Sequence, residues 1–565
     1  MRPPPTGPGL DRWSRGPSGP WSGAAPSPFP PDLNGDHHER HGRRRFPGAA
    51  AHRRHRHPPR PHPRDAGCLS ALAGPGRGAG RADADGRGAR RGAAVRGCGV
   101  IPAPVPSLAE AAAAIAEGSL SPVALTEQAL ARIAALEPSL NAFITLAADR
   151  ARASAAAAET EIRAGRRRGP LHGIPYALKD IYDAAGLPTT AHSRVLGADN
   201  LAQTDAATTA LLEAAGMVLL GKLATHEFAR GGPTDPLAWP AAKNVWNPAH
   251  FAGGSSSGSG TAVASGMVAM AMGSDTGGSI RLPAAFQGIV GLKPSYGRVS
   301  RRGVVPLSFG MDHTGPLTRT VEDCAMAMQV LAVHDPLDPG SADRPAGDYL
   351  AGLRAGVQGL TIGWARAFDE AAGLSPDQQA AMAEAVRVLR GLGARVVEIA
   401  LPSMRRFEAA TWTIIHAESF AIHQDHLRRT PELYGRVTRE RIQLGAFVTG
   451  PHYVQAQRLR RMLTQEVDAV LARCDAILCA PAAGEAPALA QVDEGPWRRQ
   501  QPLTAPFNCT GHPAICLPAG FGAQGLPLSV QIAGRAFDEA TVLRIAHAFE
   551  QATEWHTRRP PEAWG

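Results

Sequence analysis

Phe251–Gly260 reads F-A-G-G-S-S-S-G-S-G, and Gly273–Pro283 reads G-S-D-T-G-G-S-I-R-L-P. Outside the first hundred residues, nowhere else gathers Gly and Ser so densely. Small residues also dominate the stretch from Gly258 to Gly273, which predicts a helix and a strand packed at close backbone distance in the centre of the fold. Three chemistries use such loops. The first is phosphate cradling. Gly216–Leu223, G-M-V-L-L-G-K-L, nearly fits that pattern, but Leu223 stands where Ser or Thr would hold magnesium, and the middle residues are apolar and strand-like. The second is an esterase elbow, which Gly254–Gly258 satisfies as G-x-S-x-G. An elbow needs a strand directly before it, whereas the approach here, N-V-W-N-P-A-H-F-A from Asn244, is an Asn/Pro loop.

The third chemistry needs no histidine. A Ser hydroxyl is a poor nucleophile until a base takes its proton, and a desolvated Lys can be that base, with a second Ser relaying the proton. Bringing a lysine from about 10.4 to near 7 requires roughly 4.6 kcal/mol from the environment, and burial is what supplies it. The chain holds four lysines, Lys179, Lys222, Lys243 and Lys293, against 55 arginines. Codon composition accounts for the scarcity but not for the four exceptions, each of which stands where Arg, always protonated, could have served as a charge. Lys179 lies in I-P-Y-A-L-K-D-I (Ile174–Ile181), apolar on both sides. The alternative for it is a buried ion pair with Asp180 or another acid. Lys222 and Lys293 read as ion-paired or carbonyl-capping residues, and Lys243 as a solvated loop residue.

Asp275-Thr276-Gly277-Gly278-Ser279 suits an oxyanion hole. Two glycines let successive N–H groups turn toward one point and remove side chains that would block a carbonyl. With Lys179 upstream, these segments resemble the amidase signature family. The likeness extends over most of residues 107 to 560, including G-P-L-T-R-T-V-E-D-C (Gly315–Cys324) and N-C-T-G-H-P-A-I-C-L-P-A-G-F (Asn508–Phe521). The resemblance implies an α/β fold with a central mixed, twisted β-sheet covered on both faces by helices. It implies Ser279 as the acyl-forming nucleophile, Lys179 as the base and Ser255, 24 residues before Ser279, as the bridging Ser. The N–H groups of Thr276, Gly277, Gly278 and Ser279 would form the oxyanion hole. Ser256, at the centre of G-x-S-x-G, is the tempting wrong choice.

Charge divides the chain. Residues 1 to 100 carry 18 Arg, no Lys and seven acids, whereas the rest is close to neutral, so the overall +9 belongs to the first hundred residues. Net charge therefore gives the main body no nucleic-acid role. The first hundred residues, rich in Pro, Gly, Arg and His, cannot bury enough apolar surface to offset ordering entropy and are expected to be disordered. Arg43-Arg44-Arg45-Phe46 lacks the apolar stretch an export signal needs. The expectation is that this extension is not physiological, native protein beginning between about Val95 and Ser107, and that residues 101–565 form a single domain.

Ser107–Glu110 is a capping box opening a helix that stops at Gly118. Ser121-Pro122 opens a second helix, expected to end near Leu136 ahead of Pro138, followed by a long Ala-rich helix to about Arg168. The five cysteines of the body show no C-x-x-C, so neither a disulfide framework nor a zinc ribbon is indicated. No run of 18 apolar residues occurs, and the scattered histidines (His172, His226 and His416 among them) form no metal spacing. A cytoplasmic protein without metal or cofactor is expected.

The activity implied is hydrolysis of a linear, non-peptide carboxamide through an acyl-Ser279 intermediate, releasing ammonia or an amine. The expected partner is a small-molecule amide, with no nucleic acid or membrane; a homodimer is compatible with this. The alternative is the glutaminase component of a tRNA-dependent amidotransferase, its A-type polypeptide, which works with partner subunits. That family member carries an Asp seven residues before the Asn of N-x-x-G-x-P to hold the amino group of glutamine; here the position is Gln501. Acyl-pocket residues are expected from the variable stretch of about 400 to 500, with Trp412, His416, Tyr453 and Trp497 as candidates, each also readable as core or rim packing.

Overall fold

The computed structural model describes residues 101–233, 237–492 and 503–561. The expected extension over 1–100, Trp497 and Gln501 lie outside them. The first described helix, Leu108–Glu117, begins where the sequence puts it. Ser107 accepts the Glu110 N–H, the Glu110 carboxylate reaches back to the Ser107 N–H, and Gly118 closes the helix at φ 75°. The second helix departs from expectation. It runs from Pro122 to Leu140 with Pro138 inside it and ends at Asn141, φ 53°. Pro138 withholds one N–H from the last turn, but the Glu137 carboxylate just before it accepts the N–H groups of Ala142 and Phe143 and holds the exit. The Ala-rich helix spans Ala148–Arg163, stopping short of Arg168, and Phe143–Leu146 forms a strand ahead of it.

Eleven strands make one sheet: β1 (Phe143–Leu146), β2 (Pro175–Lys179), β3 (Val218–Leu223), β4 (Met270–Asp275), β5 (Val290–Lys293), β6 (His313–Thr318), β7 (Thr361–Trp364), β8 (Arg395–Glu398), β9 (Ala476–Cys479), β10 (Ala514–Phe521) and β11 (Pro527–Gly534). Their order is β1-β3-β2-β4-β6-β5-β10-β11-β9-β7-β8. The sheet is mixed. β2 runs parallel to β3 and β4, and β7 parallel to β8 and β9, while the middle strands pair antiparallel. The P-loop-like stretch Gly216–Leu223 is largely β3 itself, a strand rather than a phosphate loop.

Helices flank the sheet. The one from Ser257 to Ala264 is buried along its whole length beside β4 and the helix Arg281–Gln287. Its small residues are required by distance, since a Cβ on Gly258 would stand 2.5 Å from the Ala142 carbonyl and the Ala224 nitrogen. The five cysteines of the described residues, Cys324, Cys474, Cys479, Cys509 and Cys516, are buried and unpaired. No described helix is long and apolar enough to cross a membrane.

Candidate active site

β2 ends on Lys179, whose side chain is fully buried. Nζ lies 2.7 Å from Ser255 Oγ and 2.8 Å from Ser274 Oγ. Asp180 is not its partner. Successive residues of an extended chain point to opposite faces, and Asp180 pairs instead with Lys222 at 3.0 Å. Burial pushes Lys179 down to about 7, although the more distant carboxylates of Asp312 and Asp275 pull the other way. Lys222 completes its shell with the Pro188 carbonyl and Thr189 Oγ1, and Lys293 bonds the carbonyls of Pro294 and His512. Lys243 is half-buried.

Ser255 sits in the loop before the buried helix, after a cis peptide at Gly254. Its carbonyl accepts from the His226 N–H and Thr225 Oγ1, which fixes the backbone that presents the hydroxyl to Lys179. Ser256 faces inward instead. Its Oγ donates to the Ser274 carbonyl and accepts the Ser274 N–H, and its N–H donates to the Ser279 carbonyl. Ser256 thus ties the two loops together and does not line the cleft that Ser255 and Ser279 share.

Ser279 is half-buried in that cleft, and its hydroxyl makes no internal hydrogen bond among the described residues. The turn before it is held from below. Asp275, at the end of β4, accepts the N–H groups of Gly278 and Ile280 and pairs with Arg281, whose guanidinium also reaches the Thr504 carbonyl, Gln531 and Asn508. Burial works to raise the Asp275 carboxyl, yet Arg281 and Asn508 hold it well below the usual carboxylate range. Asn508 closes the network by donating to the Asp275 carbonyl and carboxylate.

The four expected oxyanion donors are therefore not alike. Gly278 gives its N–H to Asp275 Oδ1 at 2.8 Å, while those of Thr276, Gly277 and Ser279 have no internal acceptor among the described residues. Gly278 is at φ 137°, and a Cβ there would lie 2.1 Å from Thr504 Oγ1. Only glycine fits.

Of the candidates expected from residues 400 to 500, Trp412 lines the cleft. His416 and Tyr453 are not among the described residues lining it. His416 lies behind Arg230, and the Tyr453 phenol donates to Glu418 Oε1 beside a small apolar cluster. Sequence reading missed Ser274, His226, Arg230 and Arg441, the last three of which line the cleft. Ser274 stands inside the quoted G-S-D-T-G-G-S stretch, but a strand buried on both faces shows no alternation to reveal where its hydroxyl turns.

The chain matches the family model described as Amidase over residues 124–543. The A component of the glutamyl-tRNA(Gln) amidotransferase of Roseiflexus castenholzii is 39% identical over 483 residues, 80% of this chain and 97% of that protein. A solved vestigial protein complex, described as revealing the evolutionary origins of an s-triazine catabolic enzyme, aligns at TM-score 0.75 and 33% identity over 79% of this chain and 98% of that one. The native peptide amidase of Stenotrophomonas maltophilia aligns at TM-score 0.70 and 32% identity, covering 81% of this chain and 98% of that one. This chain belongs to the amidase signature family, whose mixed sheet flanked by helices it shares.

Proposed function

We propose that the protein hydrolyses a carboxamide through an acyl-enzyme on Ser279, with Lys179 as the base and Ser255 as the relay. The observation that carries this reading is a fully buried lysine held between two serine hydroxyls with no carboxylate at ion-pair distance among the described residues. A lysine pushed down to about 7 is neutral in a large fraction of molecules at neutral pH and can accept a proton. Ser279 Oγ attacks the amide carbonyl while its proton passes to Ser255 Oγ, and the Ser255 proton passes to Lys179 Nζ. The oxyanion that forms is met by N–H groups of the Thr276–Ser279 turn. The proton then returns through Ser255 to the leaving nitrogen, the C–N bond breaks, and ammonia or an amine departs. Water repeats the sequence on the acyl ester and frees the carboxylic acid.

The names of curated relatives favour a second reading, the glutaminase component of a tRNA-dependent amidotransferase. Gln501, standing where that family member has its amino-binding Asp, weighs against it. Purified full-length protein given a panel of amides without any partner decides between them. Release of ammonia or amine at rates independent of partner subunits supports the hydrolase. Turnover of glutamine alone, and only in the presence of the other amidotransferase components, supports the second reading.

A further inference from the structure

Arg230 follows the short turn Glu227–Ala229 and lines the same cleft as Ser279. Arg230 is half-buried with its Nε out of reach of solvent, and a guanidinium desolvated in this way ordinarily sits against a carboxylate, because an unpaired buried charge is costly. The described side chains that touch the Arg230 guanidinium are neutral. Its Nη2 is 3.1 Å from His416 Nδ1, its guanidinium stands 5.1 Å from the Trp412 ring centroid, and its buried Nε has no hydrogen-bond partner. Burial and the charge of Arg230 push His416 down to about 4, so at neutral pH that imidazole is an uncharged neighbour.

Arg441 lines the cleft too, donating to the carbonyls of Arg230 and Gly231. Burial and Arg441 together push Arg230 down to about 9, still cationic at neutral pH. His226 adds a neutral ring whose Nε2 is buried without a partner, and no Asp or Glu is among the described residues lining the cleft.

We infer that the amide substrate is itself an anion, and that Arg230 recognises its carboxylate. The inference rests on the reading of this cleft as an amide-hydrolysing site. A planar guanidinium matches a carboxylate through two parallel hydrogen bonds, a geometry that an ammonium does not offer. Arg230 is then a specificity residue beside the reacting centre.

The test uses the full chain and three sets of amides of matched length: monoamides of C4 to C6 dicarboxylic acids, N-acylglycines, and the corresponding uncharged alkanamides. The first two sets place the carboxylate on the acyl and on the leaving side. The expected result is a kcat/KM about 10- to 100-fold higher for one carboxylate-bearing set than for its uncharged match, as a hydrogen-bonded charge implies. Arg230→Gln is expected to bring that ratio close to one, and Arg230→Lys to restore part of it. Should the variants fail to fold, competitive inhibition of the wild type serves instead, with dicarboxylates expected to bind more tightly than monocarboxylates of the same length. Uncharged amides turned over as well as or better than both charged sets would overturn the inference and leave the hydrolase reading standing. If no amide of any set is cleaved and Ser279 takes no acyl group, the hydrolase reading falls, and this inference with it.

Discussion

Lys179 and the serines around it can be separated by substitution. Ser279→Ala is expected to lower kcat by about 10³-fold or more, as loss of a nucleophile acting with its base does. Ser256→Ala should retain a measurable fraction of activity while losing about 1–3 kcal/mol of stability through its broken hydrogen bonds. Equal loss of activity in two folded variants would reverse the assignment. Lys179→Arg keeps the charge but not the ability to lose a proton, so it should be as inactive as Lys179→Ala. For the wild type, kcat/KM should rise with pH through about 7 and then level. The same shift reaches stability. Folded Lys179 gives up its proton near pH 7, whereas unfolded lysine keeps it to 10.5, so between those values the unfolded chain binds the extra proton and stability climbs with pH. Lys179→Met should therefore compare best with the wild type in melts near pH 6 and worst near pH 10; a difference constant with pH would contradict the neutral lysine.

At the scale of elements, the loop carrying Thr276–Ser279 depends on a charge network beneath it. Asp275→Ala leaves Arg281 buried without its counter-charge and should cost about 3–5 kcal/mol, read by urea denaturation. An unchanged midpoint would mean the network is incidental. The contrast between legible and hidden features is physical. The capping box at Ser107 and the Gly/Ser loops are local patterns, and they form where the sequence puts them. The strand Phe143–Leu146 is four residues long, too short for periodicity to separate it from the helix that follows, and it exists because β3 pairs with it. Lys179 was legible through its rarity and its apolar flanks. Arg230 and Arg441 were not, since they lie 211 residues apart and only the folded chain brings them to one cleft.

For the molecule as a whole, the first hundred residues and the sheet-bearing remainder are expected to be independent in function. Ser107 opens the first described helix, and Leu108, its first residue, is already fully buried in the core. Deleting residues 1–100 should leave amide hydrolysis and the melting temperature unchanged. A truncated form that fails to fold, or that loses activity while folded, would show that the extension contributes. If the extension acted through nucleic acid, affinity would fall steeply with salt, which binding assays at two ionic strengths would detect.

The claim on which the rest depends is the covalent role of Ser279, and peptide mass mapping after reaction with a serine-directed fluorophosphonate tests it most directly. One adduct is expected, on the peptide bearing Ser279, forming faster as pH rises through about 7 and absent from Ser279→Ala and Lys179→Arg. An adduct on Ser255 or Ser256 in the wild type, or labelling of Ser279 that persists undiminished in Lys179→Arg, would contradict it.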